Sequence, residues 1–96
     1  MILTERQTDR GLLITVCDPD VLGETFEEGS ISLEVTEEFY GGDRVDTETA
    51  VEALKRASIA NLVGTESVEL AIEEGFVEEG NVLEVEQTLH AQYLRL

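Results

Sequence analysis

The run Leu12-Leu13-Ile14-Thr15-Val16-Cys17 constrains this chain most. Its six residues carry no charge, in a sequence of 96 that holds 22 acidic and 6 basic residues. The run is apolar at odd and even positions alike and rich in β-branched side chains, so as a strand it needs cover on both faces. At 42% apolar, the chain supplies one core and leaves nothing for a second. We therefore read residues 1–96 as a single small domain. Asp9-Arg10-Gly11 is a turn signal, and with Ile2 and Leu3 before it the spacing predicts an N-terminal hairpin.

The rest of the chain supplies partners for that strand. Asp18-Pro19-Asp20 predicts a short helical turn. Asp18 suits the N-cap, Pro19 the first helical position and Asp20 the positive end of the dipole, and Gly23 ends the turn. Glu27-Glu28-Gly29 reads as a loop. Residues 31–35 alternate, which predicts a half-buried strand with Ile31, Leu33 and Val35 inward. Phe39-Tyr40 leads into a Gly41-Gly42 turn. Asp46 caps a helix over about residues 47–57, with Ala50, Val51, Leu54 and Ala57 on one face and Lys55 and Arg56 in the last turn. Residues 59–63 fit either a strand or a continuation of the helix to Gly64, and we take them as extended. Thr65 caps a second helix through about Glu74, with Val68, Ala71 and Ile72 inward. Gly75 is its left-handed stop, with Phe76 touching the last turn. Residues 82–86 and 89–96 read as strands. The expected class is α+β: a mostly antiparallel sheet with two main helices in the middle of the chain.

The charge needs its own account. Asp and Glu are spread along the whole length between ordered apolar positions, which marks a solvated face rather than an acidic tail. The net charge is −16, and Lys55 is the single lysine beside Arg6, Arg10, Arg44, Arg56 and Arg95. Self-repulsion on that scale costs stability in dilute buffer. At molar salt the Debye length falls to roughly 3 Å and the repulsion is screened. The spread, the scarcity of lysine and the abundance of Thr and Val resemble proteins of extreme halophiles. Counterion release contributes little to binding in such salt, so an acidic total there says little about partners. Cys17 is the only cysteine, which leaves no intrachain disulfide and no zinc-like cluster. Charges come too early for a signal peptide, and no apolar run reaches membrane-spanning length. The expectation is a cytoplasmic protein without a membrane partner.

Several residues invite a chemical role, each beside a plainer one. Cys17 and the single histidine, His90, suggest a nucleophile and base, with Asp18 in the same cleft. The plain reading of Cys17 is a small buried hydrophobe. Asp18 and Asp20 suggest a metal pair, but helix capping explains both. Gly42 in Gly41-Gly42, and Gly64 before Thr65, suggest a phosphate cradle, but neither matches a nucleotide-binding pattern and Glu66 would repel an anion. Phe39 and Tyr40 suggest stacking on a base, against one core and one turn aromatic. Asn61 is the lone polar residue in an apolar run, and His90-Ala91-Gln92 brings two hydrogen-bonding side chains to an expected sheet edge. The candidate binding residues are Cys17, Asp18, Tyr40, Gly42, Asn61, Gly64, His90 and Gln92. None is assigned as catalytic or as a metal ligand, and no cofactor is expected.

Five stretches in series carry a resemblance. Val16-Cys17-Asp18, Leu22-Gly23, Phe39-Tyr40-Gly41-Gly42, Ile59-Ala60-Asn61-Leu62-Val63-Gly64 and His90-Ala91-Gln92 resemble, in order and spacing, the archaeal family catalogued as domain of unknown function 424. Leu89 stands before His90 where that family often has proline, which bears only on how the last strand begins. The resemblance implies a small archaeal cytoplasmic domain and brings no established activity or catalytic residue. What it suggests is a link to translation. The leading expectation is a non-enzymatic binding module serving translation or RNA metabolism, with the ribosome or an RNA-associated protein as partner. Its expected contact surface includes Tyr40, Asn61, His90 and Gln92. The alternative is a small enzyme built on Cys17, Asp18 and His90.

Overall fold

The computed structural model describes residues 1–95. Strands β1 (Ile2–Thr8) and β2 (Gly11–Cys17) form the N-terminal hairpin, closed by a two-residue turn between Thr8 and Gly11. One turn of 3-10 helix over Pro19–Val21 leads to a two-stranded ribbon, β3 (Thr25–Glu28) and β4 (Ile31–Glu34). The one-turn helix α1 (Glu37–Tyr40) and the two-residue strand β5 (Asp43–Arg44) follow, then α2 (Thr47–Arg56), β6 (Ile59–Val63) and α3 (Thr65–Glu73). Strands β7 (Leu83–Val85) and β8 (Thr88–Leu94) complete a six-stranded sheet in the order β5-β1-β2-β6-β8-β7. Among the described residues, β2 and β6 pair in parallel and every other pairing in this sheet is antiparallel. The class is α+β, as expected, and residues 59–63 are a strand.

The uncharged run lies at the middle of this sheet. Ile14, Thr15, Val16 and Cys17 are all fully buried, because β2 has neighbours on both sides and cover on both faces. Opposed residues share a face and neighbours along a strand alternate. On one face, Ile14, Val16, Ala60, Leu62 and Ala91 pack against Ala53, Leu54 and Ala57 of α2 and Val68 and Ala71 of α3. On the other, Ile2, Cys17 and Val63 pack under Val21, Val35 and Tyr40, beneath the ribbon and α1. That second cover is partial, and it leaves Gln92 and Leu94 exposed.

Several local expectations need correction. The segment Glu27-Glu28 is strand rather than loop, because β3 pairs with β4 from Thr25↔Glu34 to Glu28↔Ile31. Ile31 is not inward: the ribbon has no layer behind its tip, and Ile31 is 41% exposed. On α2, Ala53 is fully buried and Val51 only half-buried. Thr65 does not cap α3; it is the first helical residue, after Gly64. The end of α3 follows the expected pattern. Gly75 takes φ +80°, and the Phe76 and Gly75 amides donate to the carbonyls of Ala71 and Ile72 at 2.8 and 3.0 Å. Leu96, placed in the last strand from sequence, lies outside the described residues.

Candidate functional site

Asp18 is the hub of the upper end of the sheet, where β2 and β6 finish. Its side chain makes no bond to the 3-10 turn that follows it. Instead the Glu66 and Ser67 amides donate to its carboxylate at 3.0 and 2.8 Å, and the Ser67 hydroxyl donates at 2.7 Å. Asp18 therefore caps α3, 48 residues further along, and not its own turn. The parallel pairing Cys17↔Val63 delivers it there, and the Asp18 amide donates to the Val63 carbonyl at 3.0 Å. Gly64 makes the approach feasible: a Cβ at that position would sit 2.3 Å from the Asp18 carboxyl carbon, on a backbone with φ +114°. A cleft of about 740 Å³ opens beside this cap, lined in part by Asp20, Glu24, Phe26 and Glu86. Among the described residues, no group of three acidic, His or Cys side chains is disposed to hold a metal ion.

Cys17 is fully buried, and burial next to Asp18 pushes its thiol up to about 11. The register reads Cys17↔Val63↔His90, so a whole strand separates the two side chains. Two strand spacings amount to about 9.6 Å, beyond a nucleophile–base hydrogen bond. Tyr40 is also interior rather than at a surface: it is buried, stands edge-on to Phe39 at 5.0 Å, and burial pushes its hydroxyl up to about 12. Gly42 lets the chain close on β1, where a Cβ would sit 2.2 Å from the Leu3 carbonyl oxygen.

The remaining three candidates come together. Asn61 lies opposite Thr15 on one side and Gln92 on the other, and His90 occupies the next row on the same face of β8. The row below joins Arg6, Leu13, Ile59 and Leu94. Thr15 is fully buried beside Phe39, and the strip opens to solvent along β6 and β8. Asn61 and His90 are half-buried, Gln92 is exposed, and Leu94 is 62% exposed. Burial holds the His90 imidazole below its ordinary value, towards the neutral form with one donor and one acceptor nitrogen. Phe39 flanks the strip, with the Arg6 guanidinium 5.4 Å over its ring and its carbonyl accepting from the Thr15 hydroxyl at 3.4 Å. Leu13, Ile59 and Leu94 were not singled out from sequence. The odd–even pattern of β6 and β8 holds the signal, but only the cross-strand register reads it.

Four of the five stretches quoted above thus meet in space, three on β2, β6 and β8 and the aromatic-glycine stretch against β1 and β2. Over residues 5–96 the sequence matches the family model described as "Protein of unknown function (DUF424)". The chain belongs to the DUF424 family. No curated protein matches it. A crystal structure of an uncharacterized conserved protein from Methanopyrus kandleri superposes with a TM-score of 0.79, over 99% of this chain and 92% of that one. At 22% sequence identity, that likeness carries the fold. For this DUF424 chain, function has to be argued from the site.

Proposed function

We propose that this protein is a non-enzymatic binding module serving translation or RNA metabolism, and that its contact surface is the uncovered strip of the sheet. The observation that carries the reading is the convergence of Asn61, His90 and Gln92 on one accessible face. Their amide and imidazole groups match the donor and acceptor edges of unpaired bases. The half-buried Ile59 and the exposed Leu94 add apolar contact beside them. Catalysis by Cys17 lacks support, since its thiol is buried and His90 stands a strand away. The same reading places the protein in a cytoplasm of high salt, which the dispersed acidic coat suits.

The test is sedimentation of a native lysate in molar potassium chloride after mild crosslinking. The wild-type protein is expected with ribosomal particles, and an Asn61→Ala/Gln92→Ala variant in the soluble fraction. Wild type remaining soluble would remove the proposal.

A further inference from the structure

The six cations of this chain are not spread as its acids are. The lower end of the sheet collects the β1–β2 turn, the last turn of α2, the start of β6 and the end of β8. The Ser58 amide donates to the Leu12 carbonyl there at 2.8 Å, and the Arg95 amide to the Ser58 carbonyl at 2.8 Å. That gathers Arg6, Arg10, Lys55, Arg56 and Arg95; only Arg44, opposite Ile2, lies at the other end. Glu52 and Glu5 pair with Lys55 and Arg56 at 3.6 and 2.8 Å. Both pairs are solvent-exposed, and such pairs hold their cations weakly. Asp9 shares the turn and Glu74 lines a cleft with Lys55, so acids and cations nearly balance at this end while the rest of the molecule is strongly negative. Arg95 spreads over Phe76 and Tyr93 at 5.9 and 5.4 Å from their ring centres, a planar cation held in place.

Resting on the RNA reading above, we propose that this end is where the sugar–phosphate backbone of a single-stranded RNA docks, so that its bases run up onto the strip. A polyanion approaching a body of charge −16 meets the least repulsion here. Arg6 belongs to the strip's lowest row, and the Arg10 turn joins that row to Arg56 and Arg95, which lie on the helix side of the same edge, so the backbone would follow the edge itself. A lipid headgroup surface would use the cations but leave Asn61 and Gln92 idle, which favours RNA.

The test is fluorescence anisotropy of a labelled single-stranded RNA of mixed sequence, titrated with the full chain from low to molar potassium chloride. Arg10→Glu and Arg44→Glu change the net charge equally, at exposed positions on opposite ends. Arg10→Glu is expected to weaken binding about tenfold and to flatten the salt slope by about one unit, while Arg44→Glu changes it less than about twofold. Circular dichroism checks that both variants fold. Equal losses from the two reversals would overturn the docking end while leaving the strip reading standing. Loss from Arg10→Glu with none from Asn61→Ala/Gln92→Ala would support the docking end and overturn the strip. Wild type that binds phosphatidylglycerol vesicles and no RNA overturns both.

Discussion

At the scale of single residues, the tightest constraint is between Asp18 and Gly64. The carboxylate satisfies two orphan amides at the start of α3 and one buried hydroxyl. Asp18→Ala leaves the buried Ser67 amide and hydroxyl without that partner and is expected to cost about 2–3 kcal/mol in urea unfolding. Gly64→Ala drives a methyl group into the carboxylate on a backbone that disfavours any side chain. Each change alone destabilises, but the pair is expected to cost less than the sum, because removing the carboxylate frees the space the methyl needs. Additive costs in the double-mutant cycle would show that the two positions act separately.

At the scale of elements, local sequence is a good guide wherever a segment's own neighbours decide its state. The β1–β2 hairpin, α2 with its Asp46 cap and the glycine stop of α3 all follow from residues within a few positions of each other. Asp18 shows the limit: its local context fits an N-cap for the next turn, and only the parallel pairing of β2 with β6 reveals the helix it actually caps. The candidate surface divides in the same way. Asn61 stands out as a polar break in an apolar run, but its alignment with Gln92 depends on register. Strand β3 was illegible for another reason, since Glu27 and Glu28 are poor strand formers held by tertiary bonds. The Glu27 amide donates to the Glu86 carboxylate at 2.6 Å, and the Glu86 amide donates to the Glu28 carboxylate at 3.0 Å. Those bonds tie the ribbon to the β7–β8 turn, where Glu86 and Gln87 take φ of +45° and +71° without glycine. Exposed Gln87 is the cheaper to replace: Gln87→Gly is expected to stabilise the protein by about 0.5–1 kcal/mol in thermal unfolding. Glu86→Gly relieves the same backbone but removes the bond to Glu27, so it is expected to gain less. The opposite ranking would mean the ribbon clamp contributes nothing.

At the scale of the whole molecule, the question is what a net charge of −16 does to a domain of 96 residues. The core itself is ordinary, with aliphatic side chains on both sides of β2 and no buried side-chain polar atom left unpaired among the described residues. The liability lies in the coat, where like charges stand close. On α3, Glu69 and Glu73 are exposed and one helical turn apart, a spacing at which like charges repel. Salt shortens the reach of that repulsion to roughly 3 Å at 1 M. The melting temperature of the wild type is therefore expected to rise steadily with potassium chloride, and sucrose, which is uncharged, should not reproduce the whole rise. A Glu69→Gln/Glu73→Gln variant separates charge from other effects of salt. It should melt higher than wild type in dilute buffer, and the gap should close as the salt approaches molar. If the gap persisted at every salt concentration, the gain would come from helix propensity or packing. The acidic coat would then cost little, and the net charge would again count against a polyanionic partner.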